Sequence, residues 1–358
     1  MRVAILWSAT SGYLNACLRQ LHASGNQVFL ASSAPSPEAP FAREMTDWIH
    51  TRFEFVDQPD TQALLSAIAN FDPDIVLTSW DRKAYRAVCR AVRGRALRVC
   101  CMDHQWRGTA KQWAGVLSSP FYIQRLFDRA FVAGERQARF ARRLGFADRD
   151  VWRGVYSCDF DAFHAAYLSR QRLQPRFLFV GRLAPEKNVD VLLSAYDAYR
   201  SEAPDPWPLH IAGAGSLQST LASCTGVVYE GFRSPEHLPA LFAEASTFIL
   251  PSRYEPWGVV IHEAAAAGLP IICTSECGAS DKFVRDGVNG VLIAPDSVEQ
   301  LKEAMKRMSS LTAQRLAAMS AASAELGAQI TPAKWVQTIV AGSIPPGRSR
   351  ATHAGLAP

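Results

Sequence analysis

Two glutamates eight residues apart, Glu255 and Glu263, have the spacing in this chain that most clearly suggests chemistry. Pro256 predicts a turn at the first glutamate, and the run after Gly258 predicts a helix that carries the second about two turns inside. The free amides at a helix N-terminus attract phosphate, whereas carboxylates accept hydrogen bonds from vicinal hydroxyl groups. Together these features predict a site for a ligand that has both phosphates and a diol, as a nucleotide sugar has.

Two cations, Arg182 and Lys187, are placed to hold such phosphates. They follow the predicted strand Phe177–Val180, and ligands of parallel α/β sheets bind beyond the carboxyl ends of strands. Hydrogen bonds to charged groups contribute about 1.5–3 kcal/mol each, so two cations can stabilise a departing diphosphate without a metal ion. The alternative is a helix-capping ion pair, for instance with Glu186.

In their order and spacing, these motifs resemble those of a known family. Residues 251–268 are similar to the E-x7-E signature of retaining, family-4 (group 1) glycosyltransferases, and residues 179–188 resemble the strand-loop motif that supplies their phosphate-binding cations. The resemblance runs from about Phe177 to Val298 and is weaker in the first half. It implies the α/β fold named GT-B, in which two Rossmann-like domains face a central cleft and a C-terminal helix crosses back.

The resemblance also implies roles for individual residues. Glu263 would accept hydrogen bonds from the ribose, Glu255 from the donor sugar, and the two cations would bind the diphosphate. Six more residues would line the donor site: Gly12, Gly181, Gly213, Phe232, Gly258 and Val259. For Phe232, which would contact the base, a position in the core is the alternative.

The chain departs from the family's pattern at two loops. One glycine, Gly12, stands where the family often has a glycine-rich loop, which weakens the expectation that this loop cradles phosphate. Lys282 stands where many members have a glutamate, and this change is expected to affect sugar preference more than activity.

The first half offers candidate acceptor residues. Asp103 and His104 follow a predicted strand, and related enzymes place there a histidine that touches the donor sugar; a structural histidine is the alternative. Beyond them, two aromatic rings are interspersed with two cations: Trp106, Arg107, Lys111 and Trp113. Such a segment suits a membrane interface or a sugar acceptor, unless its tryptophans pack onto the core.

Positive charge is concentrated in the same half. Residues 82–153 contain 17 Lys and Arg against 5 Asp and Glu, a net charge of +12, whereas the whole chain carries +5. The simplest interpretation is a solvated surface, but so biased a block also suggests an acidic partner such as an anionic membrane or acceptor. Nucleic acid is not expected as a partner, because no nucleic-acid-binding motif accompanies the charge.

Short apolar runs alternate with amphipathic stretches along the chain, which predicts parallel sheets covered by helices. We expect an acceptor-binding domain over residues 1–168 and a donor-binding domain over 169–328. The resemblance implies a crossover helix over 329–342, and a Pro-, Gly- and Ala-rich tail over 343–358 is expected to be disordered.

Composition limits the remaining possibilities. At 358 residues the chain is long enough for two domains, and no apolar run reaches the roughly 20 residues that span a bilayer. Without an export signal, a cytoplasmic location is expected, with peripheral contact to the cell membrane as an option. The eight cysteines have no zinc-ligand spacing and are expected to be reduced core residues.

These inferences favour a retaining hexosyltransferase that uses a nucleoside diphosphate sugar as substrate, needs no metal or cofactor, and modifies a glycan, lipid-linked or lipid acceptor. Surface polysaccharide biosynthesis is the expected setting. A sugar-nucleotide epimerase of the same fold and a non-catalytic sugar-nucleotide-binding scaffold are the alternatives.

Overall fold

The structure, a computed structural model, describes residues 1–34, 43–221 and 224–343. Two parallel β-sheets, of seven and six strands, dominate these residues and confirm the predicted α/β architecture of two Rossmann-like domains. From residue 344 onward, the tail that was predicted to be disordered lies outside the described residues.

The first sheet contains seven parallel strands: β1 (Arg2–Ala9), β2 (Gln27–Ser33), β3 (Thr51–Phe55), β4 (Ile75–Thr78), β5 (Leu97–Met102), β6 (Arg129–Val132) and β7 (Val151–Arg153). Their order across the sheet is β3-β2-β1-β4-β5-β6-β7. The helices of this half are α1 (Gly12–Ala23), α2 (Thr61–Phe71), α3 (Lys83–Ala91), α4 (Ala110–Ser118), α5 (Ile123–Leu126), α6 (Glu135–Arg143) and α7 (Phe160–Ser169).

The second sheet contains six parallel strands: β8 (Phe177–Val180), β9 (Leu209–Ala212), β10 (Val227–Gly231), β11 (Thr247–Leu250), β12 (Ile271–Thr274) and β13 (Gly290–Ile293). Their order is β10-β9-β8-β11-β12-β13. The helices are α8 (Val189–Glu202), α9 (Gln218–Leu221), α10 (Leu238–Ala243), α11 (Val259–Ala266), α12 (Ser280–Phe283), α13 (Val298–Ser309), α14 (Ala313–Gly327) and α15 (Pro332–Ser343).

Central strands are buried at every position because helices cover both faces of each sheet. Strands β4, β8, β9, β11 and β12 show this pattern, and their apolar runs were therefore recognisable in the sequence. The elements missing from the sequence prediction were β3, β7, α4, α5, α7, α9, α12 and α14. Strand β3 lies at a sheet edge and β7 has only three residues, so neither carries a buried run.

The two halves exchange one helix each. Helix α15 packs on α1 in the first domain, where Trp335 Nε1 donates to the Val155 carbonyl at 3.0 Å. In the other direction, α7 packs on α10 and α11, and the rings of Phe163 and Phe242 lie 5.2 Å apart. The domain limits at residues 168 and 328 stay predictions, but packing places α7 with the second domain.

All eight cysteines are free, and seven of them are buried. This agrees with their prediction as reduced core residues. Across the described residues, none of the helices is both long and apolar enough to cross a membrane.

Candidate functional site

The predicted donor residues converge on one edge of the second sheet. Lys187 follows β8, Gly213 follows β9, Phe232 follows β10, and Glu255 follows β11. Because all these strands are parallel, their carboxyl ends lie on the same side, and this side faces the first domain. The sheet topology therefore brings together residues that are separated by up to 68 positions in the sequence.

Lys187 and Glu255 form the central ion pair of this edge, joining Nζ to Oε2. Their side chains are only 13% and 14% exposed, so the pair is shielded from most of the solvent. Asn188, which is buried with φ of 61°, ends the short helical turn Pro185–Lys187 and donates to the Pro251 carbonyl at 3.0 Å. This turn fixes the lysine beside the glutamate loop.

Arg182 lies on the same loop but is 67% exposed and pairs with Glu186 at 2.5 Å. The ion pair that the sequence left as an alternative therefore exists. Because a guanidinium carries five N–H donors and this contact uses one, Arg182 retains donors for a second anion. The structure thus gives the two cations different surroundings: Lys187 is held in place, and Arg182 extends into solvent.

The turn that carries Glu255 is held from both domains. Gln105 Nε2 donates to the carbonyls of Glu255 at 3.2 Å and Pro256 at 3.0 Å, and Gln137 Nε2 donates to Pro256 at 2.6 Å. A side chain at Gly278 would place its Cβ 2.3 Å from that same Pro256 carbonyl oxygen. The two glutamines, which sequence reasoning missed, connect the first domain to the donor loop.

Gly258 caps the N-terminus of α11 with φ of 89°, a left-handed conformation that favours glycine. A Cβ at this position would also lie 2.9 Å from Cγ of Glu255. The glycine therefore lets the glutamate lie against the helix start, as the predicted site requires. Val259, the first residue of the helix, is half-buried.

Glu263 lies inside α11, half-buried, and no donor among the described residues contacts its carboxylate. Burial, and to a smaller extent the nearby charge of Asp159, raise its pKa to about 7. The charges of Glu263 and Asp103 also raise the pKa of Tyr13, although burial is the larger cause. These groups therefore surround one region between the domains, and Glu263 offers it an unused acceptor.

The loops after β8 and β9 pack closely. A Cβ at Gly213, where φ is 145°, would lie 1.9 Å from the Gly181 carbonyl oxygen, so both predicted glycines belong to a tight crossing of two loops. Phe232 is 40% exposed, which excludes the core position that was its alternative. A depression of about 540 Å³ lies beside these loops, between Gly215 and Tyr229.

The first domain also approaches the second closely at Gly12. A Cβ there would lie 2.6 Å from Cβ of Pro235 in the second domain. The structure therefore gives this glycine a packing reason that the sequence did not reveal, namely close contact between the domains. Ser11 caps α1 through its side chain, which accepts from the amide of Leu14 at 3.3 Å.

Asp103 and His104 lie next to Gln105, at the domain contact. Asp103 accepts a hydrogen bond from the Tyr156 hydroxyl at 3.2 Å, and its other oxygen lies 3.4 Å from Nδ1 of His104. The histidine side chain is 67% exposed, so it is not held in the core. Both remain available to a ligand in the cleft.

The tryptophan segment divides into two parts. Trp106 is half-buried against Phe140, with ring centroids 5.5 Å apart, which is the core packing that the sequence left as an alternative. A role of the half-buried Trp106 at an acceptor or membrane stays a prediction. Trp113 is 50% exposed, Lys111 is exposed, and Arg107 lies 4.6 Å from the ring centroid of Tyr254.

His262 precedes Glu263 and holds the helix that carries it. Its Nδ1 accepts from the Cys158 amide at 3.1 Å, its Nε2 donates to the Gly327 carbonyl at 2.9 Å, and its ring stacks on Phe283. Burial lowers its pKa to about 4. The neutral ring therefore joins α11 to the segment before α7 and to the end of α14.

This arrangement predicts sensitivity to acid. The neutral ring suits the fold, so stability should fall as pH decreases from about 6.5 toward 4, by up to about 3 kcal/mol for a shift of this size. Thermal unfolding should be compared between Glu263→Gln and Glu263→Gln/His262→Gln. Glu263 is replaced in both because its own titration changes stability in the opposite direction over this pH range. Above pH 5, the double variant should lose much of the decrease in stability that accompanies a fall in pH. His237→Gln, whose histidine is 72% exposed, is the control, and an equal effect there would contradict the assignment.

Among the described residues, no group of three or more His, Cys, Asp and Glu side chains is arranged to hold a metal ion. Metal independence itself stays a prediction.

Comparison with known proteins agrees with this geometry. Residues 174–310 match the family model described as glycosyl transferases group 1. The alpha-D-kanosaminyltransferase of Streptomyces kanamyceticus is 29% identical over 196 residues, which are 51% of this chain and 50% of that protein. The O-antigen chain mannosyltransferase B of Escherichia coli is 30% identical over 132 residues, 35% of this chain and 34% of that one. The chain thus spans half or less of the length of these curated relatives.

Similarity of structure extends over both domains. The crystal structure of Anabaena HepE in complex with UDP and glucose aligns with a TM-score of 0.71 and covers 95% of this chain and 98% of that one, at 18% sequence identity. This chain is therefore a two-domain protein of the GT-B fold whose second domain, over residues 174–310, matches the group 1 glycosyl transferases.

Proposed function

We propose that the protein is a retaining, metal-independent glycosyltransferase, which moves a hexose from a nucleoside diphosphate sugar to a glycan, lipid-linked or lipid acceptor. The observation that carries this proposal is the shielded Lys187–Glu255 pair beside the start of α11, together with the Glu263 carboxylate in the same helix, which has no hydrogen-bond donor among the residues that the structure describes. A cation, helix amides and two carboxylates there match a diphosphate flanked by two sets of hydroxyl groups.

The relatives support the substrate class and the setting. HepE was crystallised with UDP and glucose, and the Escherichia coli relative is named as an O-antigen mannosyltransferase. A nucleoside diphosphate hexose as donor and surface polysaccharide biosynthesis as context are the corresponding proposals for this chain. A cytoplasmic location belongs to the same proposal.

In this mechanism, charge develops on the diphosphate as its bond to the anomeric carbon breaks. Lys187 has three N–H donors and uses one on Glu255, so it can bind the diphosphate while it remains fixed. Arg182 and the amides of Gly258 and Val259 add further positive potential, and such preorganised groups stabilise the transition state. The acceptor oxygen attacks on the face that the diphosphate leaves, and its proton passes to a diphosphate oxygen, which retains the anomeric configuration.

Nucleotide release tests the proposal. Purified protein should be screened for binding against UDP-, GDP-, ADP- and CDP-hexoses by thermal shift, and the donor that binds should then be incubated with and without candidate acceptors. We expect nucleoside diphosphate release that depends on an acceptor. Accumulation of an epimerised donor would instead identify an epimerase, and binding without turnover would identify a scaffold.

Excess EDTA should leave this activity intact. The cations and the α11 N-terminus take the place that a divalent ion would otherwise fill, so chelation removes nothing that the transition state needs. Release rates should be measured with EDTA and again after adding Mg²⁺ or Mn²⁺. Complete loss that either ion restores would contradict the proposed mechanism.

A further inference from the structure

Helix α4 is unusual among the longer helices described because none of its residues is buried. Three large apolar side chains nevertheless follow at four-residue intervals along it and the helical turn after it. Trp113 is 50% exposed, Leu117 74% and Phe121 73%. Residues four apart lie on one face of a helix, so these side chains form a continuous row, here named the α4 stripe.

Cations without carboxylate partners surround the α4 stripe. Arg125 lies 5.8 Å from the ring centroid of Phe121, and Arg143 lies 4.7 Å from that of Trp106, whose ring contacts Trp113. Within the described part of the chain, five cations in this region form no ion pair with a carboxylate: Arg107, Lys111, Arg125, Arg139 and Arg143. All five are exposed.

Other cations of the basic block behave differently. Arg129 pairs with Asp150, Arg136 with Asp281, and Arg142 with Glu135. The net charge of +12 in residues 82–153 is therefore not spread evenly over the first domain. Some of the cations without ion pairs accompany exposed apolar residues, and this combination suits a partner that is both anionic and apolar.

We propose that the α4 stripe docks the protein on a membrane that contains anionic lipids. A helix with aromatic and leucine residues on one face and with cations around it lies in the membrane interface, with its apolar face at the acyl boundary. Lys111 lies on α4 itself, and Arg125 and Arg143 lie beside the rings of Phe121 and Trp106. These three cations match the lipid phosphates, and each contributes roughly a fivefold gain in binding near such a surface. A soluble acidic glycan would use the cations but would leave Leu117 and Phe121 in water.

The contacts of α4 explain why docking matters for the proposed reaction. Gln112 Nε2 donates to the Gln105 carbonyl at 2.7 Å, and Gln105 in turn holds the Glu255 turn across the domain boundary. A membrane bound to the α4 stripe therefore lies close to the cleft. A lipid-linked acceptor follows from this placement if the proposed glycosyltransferase function holds, whereas docking itself does not depend on that function.

Vesicle flotation of the full chain tests the proposal. Binding should be measured to vesicles of phosphatidylcholine alone and of phosphatidylcholine with phosphatidylglycerol, at low and high salt. The protein should float with the anionic vesicles at low salt and release as salt screens the cations. Absence of binding to anionic vesicles at low salt, or equal binding to both kinds, would overturn the proposal.

Matched variants separate the apolar and the charged contributions to vesicle binding. Leu117→Ser should weaken binding to anionic vesicles by roughly tenfold at any salt concentration, because it removes most of a leucine's buried apolar area. Leu168→Ser is the control, since Leu168 is 70% exposed but lies on α7. Arg125→Gln should weaken binding about fivefold at low salt only, whereas Arg93→Gln, an exposed arginine after α3, should have no effect.

Two further results would overturn membrane docking in favour of another partner. If an acidic polysaccharide bound at low salt and was unaffected by Leu117→Ser, with no vesicle binding, the cations would serve a soluble acceptor. If the chain formed a dimer that Leu117→Ser dissociated, a second copy would cover the stripe. Nucleotide release toward a soluble acceptor should be unchanged in Leu117→Ser, so failure of docking and failure of the proposed reaction are distinguishable.

Discussion

Replacing Lys187 by alanine is expected to lower acceptor-dependent nucleotide release by roughly 10–100-fold, from the lost charged hydrogen bonds to the diphosphate. The variant also leaves the Glu255 carboxylate, which is only 14% exposed, without its cation at the place where the diphosphate must bind. Both effects raise the barrier to departure of the leaving group. Arg182→Ala should act in the same direction but less strongly, because Arg182 is 67% exposed and its contacts are solvated.

A matched control exists on the far side of the second domain. Lys302 is 12% exposed and pairs with Glu202 at 3.0 Å, so Lys302→Ala removes a carboxylate-paired lysine whose exposure is similar to that of Lys187. Its turnover should stay unchanged. Binding of free nucleoside diphosphate, which lacks the sugar that Glu255 would contact, should stay weakened in Lys187→Ala/Glu255→Ala, and this separates diphosphate binding from the unpaired charge of Glu255. Normal turnover in Lys187→Ala with an unchanged melting temperature would remove the lysine from the mechanism.

Glu263→Gln is expected to weaken nucleoside diphosphate binding by roughly tenfold above pH 7, because hydrogen bonds to a charged acceptor are stronger than those to a neutral one by about 1 kcal/mol each. The native protein should bind the ribonucleotide more tightly than its 2′-deoxy analogue, and the variant should lose most of that difference. Calorimetry with both ligands measures this difference in affinity. An equal loss for the two ligands would show that Glu263 does not contact the ribose.

The pH dependence of binding provides a second readout. Burial raises the pKa of Glu263 to about 7, so this carboxyl is still about half protonated at pH 7 in the free protein, and stability should fall as pH rises from about 4.5 through 7. A diol that donates to the carboxylate favours the ionised form, so affinity should rise with pH across neutrality and stay level in Glu263→Gln. Asp159→Asn should move the rise to lower pH, because the Asp159 charge contributes to the shift. An identical pH profile in Glu263→Gln would contradict this account.

The sequence alone identified the parts whose signal lies within a few neighbouring residues. The strand Phe177–Val180 has the predicted bounds because its apolar run is buried on both faces. The pair Glu255 and Glu263 was recognisable because Pro256 and Gly258 mark a turn and a helix start in the printed order of residues. Cations after a strand and carboxylates around a helix start are local patterns, and their chemistry follows from residue type.

The tertiary structure decided which of these residues meet and which are free. Gln105 reaches the Glu255 loop over a separation of 150 residues, and no periodic pattern marks such a residue in advance. The same holds for His262, which joins α11 to the amide of Cys158, 104 residues away. Trp106 and Trp113 have the same residue type and nearby positions, yet one packs on the core and the other is exposed. Burial depends on the surfaces that distant segments bring together, and these surfaces exist only once the two sheets and their exchanged helices have packed.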